Sequence, residues 1–425
     1  MKGLRCESVY KVFGKDAAKA TKMLQKGASL DEIPEDVTVA VNDVSFEVAP
    51  GEIFVVMGLS GSGKSTLLRT LNALGPATGG KIFIGDDEIT AMSKSAVRKL
   101  RADSMSMVFQ HFALLPHRTV IDNAAYPLEI AGVKKEERLE RAAESLETTG
   151  LRGWENNYPS ELSGGMRQRV GLARALTADA PILLMDEAFS ALDPLIRRDM
   201  QELLLEIQEV KRRTIIFITH DLNEAMFVGN RIAVMRNGSI DQIGTAEEIL
   251  TNPSNDYIER FVQDVDRSRV ITASSIMVKP LTRLYRGDGP NVILKKLAEI
   301  DSPGGWVTEG GSRHLVGSVY VDEIVSALRR NPRLNSIEDL IHPMHPGVGP
   351  DTPLNQVVAP AAGDRLTVPV VSDDNRLLGV IPNVTLLRAL GQDDVVMPVD
   401  LSAASAASAP SAVDSEPTAD AEEKN

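Results

Sequence analysis

Residues 58–66 read Gly58-Leu-Ser60-Gly61-Ser62-Gly63-Lys64-Ser65-Thr66, a complete phosphate-binding loop. In such a loop the glycines let the backbone curl, so that successive N–H groups point at phosphate oxygens where a helix begins. Lys64 adds a point charge at the β/γ end, and the hydroxyl of Ser65 is of the type that ligates Mg²⁺. The preceding Glu52-Ile-Phe-Val-Val-Met57 is an apolar run of strand length, and Thr66-Leu-Leu-Arg-Thr-Leu-Asn72 follows with helical spacing. Strand, glycine loop, helix is the context the motif requires, and it implies a bound nucleoside triphosphate.

Outward from this loop the chain reads as three regions. Residues 1–266 alternate strand-like and helix-like segments, the pattern of a parallel sheet covered by helices. Strands are expected at 53–57, 104–109, 181–186, 214–219 and 231–236, whose near-continuous apolar character suits burial on both faces. Residues 267–392 contain a weak internal repeat, Gly317-Ser-Val-Tyr-Val-Asp-Glu-Ile-Val-Ser-Ala-Leu328 against Gly379-Val-Ile-Pro-Asn-Val-Thr-Leu-Leu-Arg-Ala-Leu390, each glycine, short strand, helix. Thr367-Val-Pro-Val-Val-Ser372 is a further strand. Residues 393–425 are rich in Ala, Ser and Pro, with acids at 400, 414, 416, 420, 422 and 423 against Lys424 alone from Asp400 onward. That composition buries too little apolar surface to offset ordering entropy, so an acidic disordered tail is expected.

At 425 residues the chain is long enough for two or three domains with cores of their own. Its net charge of −13 argues against a nucleic-acid partner held by a basic surface. Cys6 is the single cysteine, which excludes an internal disulfide and fits a reducing compartment. The N-terminus lacks the apolar stretch of a secretion signal, and no apolar run approaches membrane-span length.

Ile182-Leu-Leu-Met185-Asp186-Glu187 pairs with the phosphate-binding loop. An apolar strand ending in Asp sets one carboxylate at the sheet's carboxyl edge, where it can hold hydrated Mg²⁺. Glu187, one residue on, is the candidate general base for an attacking water. Without the loop this would be an ordinary acid pair at a strand end.

Leu162-Ser163-Gly164-Gly165 lies about a hundred residues downstream of the loop, and together the two elements resemble the ATPase subunit of an ATP-binding-cassette (ABC) transporter. The resemblance implies an α/β P-loop NTPase fold with a mixed sheet, cofactors ATP and Mg²⁺, and several further roles. Phe13 matches the aromatic that stacks on adenine, with Tyr10 its nearby competitor. Gln110, in Met107-Val-Phe-Gln110, matches the Q-loop residue that contacts Mg²⁺ and links the site to membrane subunits. Ser163, Gly164 and Gly165 match the signature loop, which completes the ATP site of the opposite subunit; a plain helix cap would also use Ser163. Asp193, in Ser190-Ala-Leu-Asp193, matches the D-loop at the dimer interface. His220, in Ile218-Thr-His220-Asp221, matches the switch histidine on the γ-phosphate. The family thus implies two copies closing around two ATP molecules, and a peripheral position on the cytoplasmic face of the inner membrane, through permease subunits and indirectly a substrate-binding protein.

Three features resemble glycine betaine/proline importers in particular: the helix-prone insertion Lys15–Asp36, the phrasing of residues 57–66 and 184–197, and a C-terminal region like a tandem pair of cystathionine-β-synthase-type (CBS) domains, an α+β pair. Phe112-Ala-Leu-Leu-Pro116-His-Arg-Thr-Val120 resembles the importer segment that grips a permease coupling helix. Adenosine-binding CBS copies carry Ser/Thr and Asp/Asn three residues apart; here those positions hold Tyr320 and Glu323, then Pro382 and Thr385. That argues against tight mononucleotide binding and leaves ionic-strength sensing, a cyclic dinucleotide, or a purely structural dimer module. The alternatives for the whole chain are an importer ATPase for another small solute, such as methionine or a polyamine, and a non-transport ABC ATPase acting on nucleic acid or ribosomes.

Overall fold

A computed structural model describes residues 2–110, 113–263, 265–343, 347–363 and 366–390, which fall into two compact units divided between Asp266 and Arg267. Phe112 and the acidic segment 393–425 lie outside the described residues.

The first unit begins with β1 (Leu4–Phe13), α1 (Ala17–Gln25), β2 (Thr38–Val48), β3 (Ile53–Met57), α2 (Lys64–Leu71), β4 (Gly79–Ile84), β5 (Asp87–Glu88), α3 (Lys94–Ser104) and β6 (Met105–Val108). Three helices follow, α4 (Val120–Ile130), α5 (Lys135–Thr148) and α6 (Gly164–Thr177). The unit closes with β7 (Ile182–Asp186), α7 (Pro194–Val210), β8 (Thr214–Thr219), α8 (Leu222–Val228), β9 (Arg231–Arg236), β10 (Ser239–Gly244), α9 (Ala246–Thr251) and α10 (Asp256–Phe261).

Six strands pair in the order β10-β9-β3-β8-β7-β6, all parallel except β10. The five strands expected from apolar runs are β3, β6, β7, β8 and β9. β3, β7 and β8 are buried along their whole length, as unbroken apolar sequence requires of a strand covered on both faces. Because β3 lies between β8 and β9, chain order and strand order part company there. The loops after β3, β6, β7 and β8 therefore leave one edge of one sheet, where ligands of such folds bind.

A second, antiparallel sheet in the order β2-β1-β4-β5 shares its core with the first and with α2. Phe46 of β2 stacks on Phe54 of β3 with ring centroids 4.8 Å apart. Part of the Lys15–Asp36 insertion is α1, which packs Ala20 and Leu24 on Tyr10 and Val12 of β1. α4, α5 and α6 form a separate helical layer around Val120, Ala124, Leu146, Val170 and Ala173.

Cys6 sits inside the inter-sheet core, and burial pushes its thiol far above the ordinary range. A thiolate is the reactive form, and burial disfavours it there. Labelling by a maleimide is expected to be on the order of a hundredfold slower in the native chain than in denaturant, because it waits for opening of that core. Equal rates would show that β1 does not sit as described.

The second unit contains α11 (Ala273–Ile276), β11 (Leu284–Tyr285), α12 (Pro290–Ala298), β12 (Gly304–Thr308), β13 (Leu315–Tyr320), α13 (Val321–Arg330), β14 (His342–Pro343), α14 (Leu354–Gly363), β15 (Val368–Val371), β16 (Leu377–Ile381) and α15 (Asn383–Leu390). The two copies of the internal repeat are β13–α13 and β16–α15. Each anchors its own core: Leu284, Leu297, Val307, Val319 and Ile324 for the first, Ile271, Leu354, Val370, Ile381 and Leu386 for the second. Ile271 and Ala273 thus precede the first copy but pack with the second. Leu315, Val371, Leu377 and Val380, with Trp306 against them, join the halves.

Candidate active site

The phosphate-binding loop runs from the buried end of β3 into α2. Its glycines answer to geometry at two positions. A Cβ at Gly63, where φ is +101°, would stand 2.1 Å from the Ala40 carbonyl oxygen, and one at Gly58 would stand 2.1 Å from that of Met235. No larger residue fits either place. Lys64, Ser65 and Thr66 form the first turn of α2, whose N–H groups have no acceptor within the helix and carry its positive end. Lys64 Nζ donates to the carbonyls of Gly58 (2.8 Å) and Leu59 (2.9 Å), so the ammonium arches over the loop. Burial pushes its pKa down, while Glu187 and Asp186 pull it back up. Ser62 is buried, and its Oγ has no partner among the described residues. Ser60 and Gly61 are exposed at the loop's tip. The loop therefore presents spare donors and one cation, the chemistry of a polyphosphate cradle.

Carboxylates face it from the next strands. Ser65 Oγ donates to Asp186 Oδ1 at 2.8 Å, joining the loop to the end of β7. Glu187 follows with φ +44°, in the left-handed region, and its N–H donates to the Ile218 carbonyl at 3.0 Å. A side-chain-bearing residue held there costs about 1–3 kcal/mol, a strain that turns this carboxylate out of the strand and into the loop cluster. Gln110 Nε2 lies 3.3 Å and His220 Nδ1 3.1 Å from the same oxygen, Glu187 Oε2. Gln110 follows β6 and His220 follows β8, so the four loop ends predicted from separate motifs meet. Ser65 Oγ and the Asp186 carboxylate form an oxygen pair, which suits Mg²⁺ held by one or two carboxylates plus phosphates and water.

Ser163 is exposed and caps α6, its Oγ accepting from Met166 N at 3.3 Å. Gly165 lies against α7: a Cβ there would be 2.6 Å from Ile196 Cγ2. Asp193 caps α7 through Ile196 N at 3.1 Å. Both residues thus fill the plain capping role, and the Ser163 cap is made within the helical layer. Of the two candidate aromatics, Tyr10 is buried against α1, whereas Phe13 is 47% exposed at the end of β1 with Lys11 Nζ 4.9 Å from its ring centre.

Several residues in this region escape motif reading. Arg174 of α6, its guanidinium pKa lowered by burial, donates to the Ala113 carbonyl at 2.6 Å and so ties the segment after β6 to α6. Asn123 is fully buried and holds the loop before α4 through Leu115, Arg118 and Thr119. Glu224, its carboxyl pKa raised by burial, accepts from Thr219 and Gln201 close to His220 in sequence.

The second unit holds a cavity of about 660 Å³ flanked by Lys279, Arg283, Arg313, Tyr285, Asp301 and Trp306. No ion pair engages Lys279, Arg283 or Arg313 among the described residues. Tyr320 and Glu323, at the positions where adenosine-binding copies carry other types, are turned to His342: its Nε2 is 2.5 Å from the Glu323 carboxylate and its ring meets Tyr320 edge-on.

A two-sheet α/β cassette with these loops at one edge defines an ABC-type nucleotide-binding fold. The ABC transporter family model matches residues 41–190. The chain is 47% identical to the glycine betaine/carnitine transport ATP-binding protein GbuA of Listeria monocytogenes, over 93% of this chain and 99% of that one. It is 45% identical to the glycine betaine/proline betaine transport system ATP-binding protein ProV of Escherichia coli, over 92% and 98%. The solved structure of cbiO1 from Clostridium perfringens shares the fold at 24% identity and a TM-score of 0.50, over 61% of this chain and 94% of that one. The chain belongs to the ATP-binding proteins of ABC transporters, in the group that includes GbuA and ProV. It is an ATPase subunit of an ABC importer.

Proposed function

We propose that this chain hydrolyses MgATP to energise uptake of small osmoprotectants of the quaternary-amine and proline type. The observation that carries it is likeness to GbuA and ProV through both units rather than the cassette alone. No helix among the described residues is long and apolar enough to cross a membrane. In this reading permease subunits supply the pathway and hold the chain at the cytoplasmic face. Two copies close over two ATP molecules. Phe13 stacks on adenine, the backbone of residues 58–66 and Lys64 cradle the phosphates, and Ser65, Asp186 and Gln110 hold Mg²⁺, partly through water. Glu187 takes a proton from the attacking water, and His220 holds that carboxylate and contacts the γ-phosphate. Ser163, Gly164 and Gly165 face the partner's γ-phosphate from the N-terminus of α6, where the helix dipole favours anions, and Asp193 crosses the interface.

The second unit, 267–392, acts as a CBS-type regulator and the acidic tail 393–425 assists it. Three cations with no ion pair among the described residues, beside two aromatics around one cavity, suit a dianionic ligand with flat bases, such as a cyclic dinucleotide. Carboxylate-rich segments let go of basic surfaces as the Debye length falls below about 10 Å above 0.1 M salt, which is the condition of a cell losing water. The test is glycine betaine uptake and coupled ATPase in vesicles holding the chain and its permease, across internal salt and with a cyclic dinucleotide added. ATP-driven uptake rising with salt, and a shifted threshold on truncation before residue 270, are expected. Absence of ATP-driven uptake of any quaternary amine overturns the transport reading; superimposable salt curves overturn only the regulatory one.

A further inference from the structure

The helix that follows the D-loop, α7, touches three parts of the site through residues of its first turns. Ile196 closes over Gly165 of the signature loop. Arg197 Nη1 donates to Asp221 Oδ2 at 2.8 Å while its Nη2 donates to the Leu192 carbonyl, in the D-loop, at 3.2 Å. One turn further, Gln201 Nε2 donates to Glu224 at 3.2 Å, and Glu224 accepts the hydroxyl proton of Thr219. Thr219 and Asp221 flank His220 on either side, and Asp221 N in turn donates to Thr219 Oγ1 at 2.9 Å. Both flanks of His220 are therefore tied to α7, one directly and one through Glu224, and the Arg197 side chain also reaches back to the loop that opens that helix.

Arginine suits this place because its planar fork offers two donors in fixed relation, one for a carboxylate and one for a carbonyl. The third donor, Nε, is buried with no partner among the described residues. Leaving such a donor buried without a partner is unfavourable, and an apolar residue at 197 would avoid it. As an ordinary partly exposed ion pair, Arg197–Asp221 would contribute little to stability. Stability alone is a weak reason for this guanidinium.

We propose that Arg197 is a positioning residue that locks the D-loop to the switch histidine within one chain, so that each ATP site responds to the state of the other. In a closed pair the D-loop faces the second site, and a displacement there is carried through Leu192, the Arg197 fork and Asp221 to His220 and its contact with Glu187. The inference rests on the two-chain site proposed above. Displacing a catalytic group by about 1 Å through a remote change can cost up to about a hundredfold in rate.

The test is steady-state MgATP hydrolysis by the full-length chain, as Arg197→Ala, Arg197→Lys, Asp221→Asn and the Arg197→Ala/Asp221→Asn pair. Asn at 221 keeps the cap that Asp221 Oδ1 gives to Glu224 N (3.2 Å) while removing the charge, so it reports if Arg197→Ala folds poorly. Expected are a kcat lowered about tenfold to a hundredfold in both single variants, a KM for ATP within about twofold, and loss of cooperativity in ATP. The double variant should be no worse than the poorer single one, and Lys should restore part of kcat by holding one acceptor of the two. Unchanged kcat and cooperativity in Asp221→Asn, or additive losses in the double variant, overturn the assignment. A wild-type chain hydrolysing ATP without cooperativity overturns the two-chain reading itself, and the role of Arg197 with it.

Discussion

Glu187→Gln is expected to lower steady-state ATP hydrolysis by about 10²–10⁴-fold, the usual range for loss of a general base, while ATP still binds. Glutamine keeps the shape of the side chain and leaves the N–H bond to the Ile218 carbonyl in place, so the left-handed turn at +44° is not disturbed. Gln110 and His220 also keep a neighbour at the position of Oε2. What disappears is the acceptor for a proton of water. The cradle formed by Gly58, Lys64 and Ser65 is separate from that oxygen, so binding persists. ATP held without cleavage should keep two chains closed, and size-exclusion chromatography should show a dimer with ATP that falls apart with ADP. Phosphate release near the wild-type rate would rule out Glu187 as the base.

The parts of this site that were legible in sequence are those where chemistry restricts residue type. Gly58 and Gly63 must lack side chains because the carbonyl oxygens of Met235 and Ala40, respectively, occupy the space. Buried parallel strands must be apolar throughout, which set β3, β7 and β8 almost to the residue. Sequence spacing also brought out both repeats in the second unit, since each is a strand feeding directly into a helix.

Other features were not legible because their residue types are common on any helix. Arg197 stands beside Arg198, which reads as another surface arginine and pairs locally with Glu202 at 2.7 Å. Only the fold shows that the first of the two turns inward to Asp221. Arg174 and Glu224 are likewise ordinary helical charges until packing buries them. Nor could periodicity show that Ile271 and Ala273 cross to the second half of their unit, because that exchange depends on long-range bridges such as Val278 with Val380.

Mixing two inactive chains, Lys64→Ala and Ser163→Arg, should recover hydrolysis that neither shows alone. Lys64→Ala removes the ammonium over the loop and should weaken ATP binding about tenfold to a hundredfold, the range for a hydrogen bond to a charged group of about 1.5–3 kcal/mol. Its Ser163 remains intact. Ser163→Arg keeps its own phosphate cradle, but a long cation at the exposed N-terminus of α6 blocks whatever that helix end serves. In a mixed pair one site joins the sound cradle of the second chain to the sound signature of the first, and the other site carries both lesions. With random pairing and independent sites the ceiling is about a quarter of wild-type activity, since half the pairs are mixed and each has one good site. Strong coupling between sites would bring the value below that ceiling, so its size also reports on the link assigned to Arg197. Loss of the cap itself costs about 0.5–2 kcal/mol, and Ser163→Ala, which loses the cap without adding a charge, separates that effect through its melting temperature. Full activity of Ser163→Arg alone would mean that the signature loop does not complete a partner's site in this protein.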